Sequence, residues 1–380
     1  MRHRIAVVLP VLLWLSMSLL PSRAGAQADG LEHRLDGGDL HSLLVKNDGT
    51  VWSWGYNYGG ALGDGTSEDR LTPVQVKGLS DVRAVSCGRG LSVALKKDGT
   101  VWTWGKNRFG QLGDGTLKDR PSPAPVKGLS DVKAIVAGYA FILALKNDGT
   151  LWSWGNNAFG QLGDGTEVDR RTPTQVKGAR GARSIAAGEA FAICAKHDGT
   201  VWTWGKNVDG ELGDGTQIDR NTPTMVKGVD GQEVAAGWYH SIVLKKDGTV
   251  WAWGGNTDGT LGDDSNTTRL RPVQAKGLTD IKAIAAGYTF AMALKSDGTV
   301  WTWGNNGTGQ MGDGTNNGRG KAAVVPGLAG AVAIAAGNWH CLALKSDNTL
   351  WAWGNNATGQ LGNNSKTTSN SPLQIPNIVP

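Results

Sequence analysis

Cysteine is scarce in this chain. It has three in 380 residues, Cys87, Cys194 and Cys341, at three different repeat positions. An odd count without short spacings excludes a disulfide framework and a zinc cluster, and points to buried thiols. Phenylalanine and tyrosine number five each, so little of the bulk of a core can come from them. After the first apolar stretch no 3.6-residue apolar period appears, which excludes helices of significance. No later run is long and apolar enough to cross a membrane. Neither sign of charge is in large excess, with 38 Lys and Arg against 33 Asp and Glu.

What the chain has is tryptophan, glycine and repetition. The stretch L-K-K-D-G-T-V-W-T-W-G at 95–105 recurs seven times. Its tryptophans are Trp52 and Trp54, Trp102 and Trp104, Trp152 and Trp154, Trp202 and Trp204, Trp251 and Trp253, Trp301 and Trp303, and Trp351 and Trp353. Successive copies lie 50, 50, 50, 49, 50 and 50 residues apart. A fixed period in this range marks stacked units that cannot bury their apolar faces alone.

Within the copy, Asp98-Gly99 between two strand-forming runs predicts a hairpin with a two-residue type I′ turn. The seventh copy has Asp347-Asn348, and Asn is the next residue best suited to the left-handed region. Two residues apart on a strand, the paired tryptophans share a face. All fourteen are expected to be core rather than ligand-stacking sites.

A whole unit contains four strands. In the third copy the first runs over 131–138, ending in Gly138, and the second over 141–146. The third follows the Asp148-Gly149 turn, and the fourth spans 172–176 with Pro173 at its start; its last counterpart is expected over 372–375. Seven such units predict an all-β fold, a seven-bladed β-propeller of four-stranded antiparallel blades, about 50 residues each. How the termini close the ring is left open.

The first residues stand apart. A basic head (Arg2, Arg4), an apolar run over 5–20 and Ala24-Gly25-Ala26 read as a signal peptide, residues 1–26, cleaved after Ala26 or at Ala28. Residues 27–380 then form one propeller domain, secreted, periplasmic or in the cell envelope, with no membrane attachment after cleavage. Loss of Arg2, Arg4 and Arg23 lowers the net charge from +5 to +2, which offers no global field for nucleic acid.

The pattern A-A-G-x-x-H-S followed by A-L-K-x-D-G-x-V-W-x-W-G-x-N-x-x-G-Q-L-G, seen at 235–241 and 105–113, resembles the regulator of chromosome condensation repeat family over 33–380. That resemblance implies a seven-bladed propeller and a protein partner. The founder's nucleotide exchange on the small GTPase Ran relies on a wedge protruding from one blade; spacings of 49 or 50 leave no such insertion here. A more distant likeness is to exported bacterial propellers that inhibit β-lactamases by binding them across one face.

Strand parity places the A–B and C–D loops on one face, the hairpin turns and D-to-A links on the other. The second set repeats; the first varies. The A–B loops carry Arg89, Tyr139, Glu189, Trp238, Tyr239, Tyr288 and Trp339. The C–D loops carry Tyr56, Tyr58, Arg108, Phe109 and Phe159. Tyr, Trp and Arg are enriched at interface hot spots, so these twelve residues are the expected partner-binding set. The expected occupant is a protein, with a glycan as the alternative.

Chemistry is not expected. His41, His240 and His340 hold a position that is Phe141, Phe191 and Phe290 elsewhere, which marks packing. Asp69-Arg70, Asp119-Arg120, Asp169-Arg170 and Asp219-Arg220 repeat too regularly for a catalytic acid pair and predict Asp–Arg contacts between loops. Each G-D-G-T loop supplies one carboxylate where calcium needs several oxygens. The reading is a non-enzyme without cofactor, metal or catalytic residues.

Overall fold

A computed structural model describes residues 34–376 and 378; the signal peptide expected at 1–26 lies outside them. Each repeat makes one sheet. In blade 3, strands A to D are Val132–Ala137, Phe141–Lys146, Thr150–Gly155 and Arg170–Arg180, hydrogen-bonded in that order and all antiparallel. The other blades span residues 35–75, 82–125, 182–230, 233–274, 281–324 and 331–374, numbered 1, 2 and 4 to 7 along the chain. No α-helix occurs among the described residues. The A strands line a central channel, and the D strands form the outer edge.

Two details of the hairpin differ from expectation. Lys96 N–H donates to Thr100 O and Gly99 N–H to Lys96 O, both at 3.0 Å, so the loop holds three residues. Gly99 has φ +80°, whereas Asp98 is not among the positive-φ residues. This is a turn followed by one left-handed residue, not type I′. The Asp98 carboxylate accepts from Thr100 N–H and Oγ–H at 2.9 and 2.6 Å, a side-chain bond that favours this longer form. Asn348 takes the left-handed position, φ 62°, as its identity suggested. The fourth strands also start earlier than expected, at Arg170 in blade 3 and Ser369 in blade 7. Pro173 therefore lies inside a strand, tolerated because that strand is the blade's outer edge.

The tryptophan pairs divide. Trp54, Trp104, Trp154, Trp204, Trp253, Trp303 and Trp353 are fully buried in the seams between blades. Their partners nearer the hairpin are only half-buried, so half of the expected fourteen are core and half are lids. Trp102, for example, packs on the cluster holding Trp104, donates to Thr100 Oγ, and lies beneath Lys96 Nζ at 5.6 Å from its ring centre. Its indole is too near the hairpin end for the neighbouring blade to cover it.

Each buried indole needs an acceptor for its N–H, and finds it in the preceding blade. Trp104 Nε1 donates to Ala61 O at 2.8 Å, Trp154 to Gln111 O at 2.9 Å, and Trp54 to Gln360 O at 2.8 Å. The approach is close enough that a Cβ on Gly63 would lie 2.7 Å from Trp104 Nε1, which fixes glycine before the repeated Asp. Blade 1 and blade 7 each take all four strands from one end of the chain, so no strand is exchanged at closure. Ser42 Oγ meets His340 Nε2 at 2.9 Å, and the Trp54 bond makes this joint chemically the same as the other six.

Candidate functional site

The two loop sets predicted to share a face do so. Lys206 in a C–D loop pairs with Glu189 in an A–B loop at 2.7 Å, and Thr358 Oγ donates to Leu40 O at 3.2 Å. On the opposite face, hairpins contact D-to-A links, as where Lys97 N–H donates to Asp81 O.

The A–B loops are joined to one another around the channel mouth. Backbone N–H groups donate from Arg89 to Tyr139 O, Tyr139 to Glu189 O, Trp238 to Tyr288 O, Tyr288 to Asn338 O, and Asn338 to Gly38 O, at 3.0–3.3 Å. A Cβ on Gly88 would lie 2.2 Å from Gly138 O, so the glycine ending each A strand is what lets the next loop approach. The variable residues thus stand on a hydrogen-bonded collar, interrupted between Glu189 and Trp238.

Their side chains meet over the mouth. Trp238 touches Tyr139 (5.2 Å between ring centres), Tyr239 (6.2 Å) and Tyr288 (4.4 Å). Tyr288 stacks on Trp339 at 4.5 Å, and its hydroxyl meets the Tyr239 hydroxyl at 3.2 Å. Arg89, half exposed, lies over Tyr139 at 4.8 Å and pairs with Asp39 at 3.4 Å. Lys206 lies over Tyr239 at 5.1 Å while bound to Glu189. Burial, then the bond to Tyr288, raises the Tyr239 phenol above its usual range, so it stays protonated.

Seven of the twelve expected residues therefore form one cluster: Arg89, Tyr139, Glu189, Trp238, Tyr239, Tyr288 and Trp339. Tyr56 and Tyr58 stack at 6.1 Å, with Lys106 over Tyr58 at 4.5 Å. Arg108 covers Phe109 at 5.8 Å, and Phe159 stands 38% exposed. No ring contact joins these five to the mouth.

Sequence reasoning missed Lys206, Glu211 and Asp39. Glu211 occupies the position of Gln111, Gln161, Gln310 and Gln360; Ala61 and Thr260 depart from Gln there too, but Glu211 is the one acid, and that was the available signal. Its Oε1 is buried without a hydrogen-bond partner, and burial pushes the carboxyl up to about 7. The channel beneath the cluster encloses about 240 Å³. Asp36 in its wall accepts from Cys87 N–H and Ser86 Oγ, yet burial raises it to about 6.

The repeated acids are structural, with a pairing unlike the expected one. Arg70, Arg120, Arg170 and Arg220 pair not with the preceding Asp but with the Asp of G-D-G-T: Arg170 meets Asp164 at 2.7 Å within one loop. Asp169 instead accepts from Asn157 N–H at 2.7 Å. Asp164 is also held by Thr166 N–H and Oγ–H, which leaves its oxygens committed. His41 and His340 are buried and bonded to Ser92 and Ser42. No group of three or more metal-ligating side chains occurs among the described residues.

A family model described as the RCC1-like domain matches residues 18–326 and, in an overlapping match, 185–379. Human WBSCR16 superposes with a TM-score of 0.78 at 23% identity, over 87% of this chain and 94% of that one. Prp20p from Saccharomyces cerevisiae superposes with a TM-score of 0.79 at 20% identity, over 88% of each chain. The ultraviolet-B receptor UVR8 of Arabidopsis thaliana is 34% identical over 72 residues, 18% of this chain and 16% of the receptor. The curated relatives are thus matched over a small fraction of their length.

Proposed function

The chain belongs to the RCC1-like domain family, and from that premise we propose that it is a non-enzymatic propeller that binds a partner protein across the A–B and C–D loop face. The observation that carries this is the aromatic cluster at the mouth. Five large rings, half-buried and fixed on a hydrogen-bonded collar, present apolar area at little entropic cost. Arg89, Glu189 and Lys206 supply a polar rim around them. Structural relatives are in keeping with this use: the yeast protein Prp20p is described as binding Gsp1p and histones, and in another structure is bound to Kap60. The leader at 1–26 supports export, so the partner is sought outside the cytoplasm.

The test is capture of extracellular and envelope proteins on the immobilised mature chain, compared across variants. Trp339→Ala and Arg89→Ala should abolish capture of the true partner, while Lys97→Ala and Lys127→Ala on the opposite face should not. Capture of glycans with no protein would favour the alternative reading. Accelerated nucleotide release from a Ran-type GTPase would restore the exchange-factor reading and overturn the non-enzymatic one.

A further inference from the structure

Resting on the protein-binding reading, we propose that the partner inserts an acidic side chain between Arg89 and Lys106, at the blade 2 corner of the mouth. Blade 4 shows what these two positions do when they match. Glu189 follows the glycine that ends strand A, Lys206 follows the glycine that ends strand C, and their side chains meet at 2.7 Å. Blade 2 carries Arg89 and Lys106 at the same two positions, so two cations replace a matched pair. The backbone beneath them is the same. Lys106 N–H donates to Gly90 O at 2.8 Å, as Lys206 N–H donates to Ala190 O at 2.9 Å. An anion is what blade 2 lacks.

The nearby carboxylates are engaged elsewhere. Asp39 approaches Arg89 Nε only to 3.4 Å and also accepts from Asn338 Nδ2 at 2.9 Å. Asp119 accepts from Asn107 N–H at 2.8 Å. Lys106 lies over the Tyr58 ring and makes no ion pair among the described residues. Burial, then repulsion from Arg89, lowers its ammonium below the usual value, and Asp39 and Asp119 offset this only in part. The corner is also open. Arg89 is half exposed, and Gly90 after it has no side chain to stand between the cations. The other blades carry Leu40, Ala140, Ala190, Tyr239, Thr289 and Trp339 there. A guanidinium fork beside an ammonium suits a carboxylate. That carboxylate belongs to a protein rather than a long polyanion. No basic track leads from the corner toward blade 4, where Lys206 is already bound to Glu189, and the rings of Tyr58 and Tyr139 supply apolar area beside the two cations.

The test is NMR of the mature chain, isotope-labelled in lysine and tyrosine and titrated with capped hexaglutamate at low ionic strength. Capped hexaglutamine and inorganic phosphate are the controls. Hexaglutamate should saturate in the millimolar range, shift Lys106 and the Tyr58 ring, and raise the pH at which the Lys106 ammonium titrates. Arg89→Glu installs the blade 4 pairing and should abolish the shifts. Lys106→Asn, read from the Tyr58 ring, should weaken binding about tenfold. Both variants should fold, because Glu189 already stands beside Lys206 and Asn156 holds the Lys106 position in blade 3. Lys97→Ala on the opposite face should change nothing. Failure of hexaglutamate to bind overturns the proposal, as does equal binding of hexaglutamine or equal affinity in both variants. Phosphate binding as tight as hexaglutamate overturns it too, in favour of a small-anion site. A captured partner that binds both variants as well as the unchanged chain sinks this inference and spares the protein-binding reading. Hexaglutamate binding without capture of any protein sinks that reading and spares the anion corner.

Discussion

Trp104 and Trp238 belong to the same ring, and it uses them differently. Trp104 is one of seven equivalent indoles, fully buried, its N–H bonded to the carbonyl of Ala61 in the preceding blade. Trp238 has no tryptophan counterpart in the other A–B loops, is half-buried, touches three other aromatic rings, and its indole nitrogen has no partner. The first is specified by what every seam needs, the second by nothing in the frame. The contrast separates residues that close the propeller from residues free to recognise something.

The sharpest way to break that contrast is to truncate both. Trp104→Ala removes a large side chain from a packed seam and should cost about 3–5 kcal/mol, read by denaturant unfolding. Trp102→Ala, on the half-buried lid, should cost about 1–2 kcal/mol, since it loses part of its area and one cation–π contact. Equal losses at the two positions would show that lid and core are not distinct. Trp238→Ala removes three ring contacts of at least about 0.5 kcal/mol each, should cost about 2 kcal/mol, and should abolish partner capture. A loss as large as that of Trp104→Ala would reassign the mouth cluster to the frame.

The same contrast explains what was legible in the sequence. The seven-fold period, the place of the hairpin and the shared face of the loops follow from features that each copy repeats. The turn type did not follow, because Asp-Gly serves two- and three-residue loops alike, and the Asp98–Thr100 bond that decides between them is a side-chain choice. The lid role of Trp102 was hidden because its burial depends on how far the next blade extends. Asp69 was paired with Arg70 by adjacency in sequence, whereas the folded loop brings Asp64 to that guanidinium. Of the mouth cluster, the residue types were visible but not their convergence, since Tyr139 and Trp238 come from blades 3 and 5.

The smallest expected effect near neutral pH separates two histidines at one repeat position. Burial lowers His240 and His340 to about 3, and His41 to about 4. Each is neutral when folded and protonated when unfolded below about 6.5, so each contributes stability above that pH and withdraws it as the pH falls. Asp36 at about 6 and Glu211 at about 7 act oppositely, taking up protons on folding and adding stability as the pH falls. Around pH 5 the unfolded chain holds three extra histidine protons and the folded chain two extra carboxyl protons, and Asp carboxyls held below their usual range, such as Asp98 bonded to Thr100, side with the histidines. Stability should therefore decline on acidification there. His240→Phe removes one proton from that balance and should make the decline shallower; His340→Phe should do the same. At pH 7 they part: His240→Phe deletes two unsatisfied nitrogens and should gain about 1 kcal/mol, while His340→Phe deletes the bond to Ser42 and should gain nothing. Urea unfolding of both variants at pH 5, 6 and 7 measures each difference, and identical gains at pH 7 would show that His240 is as well satisfied as its counterpart.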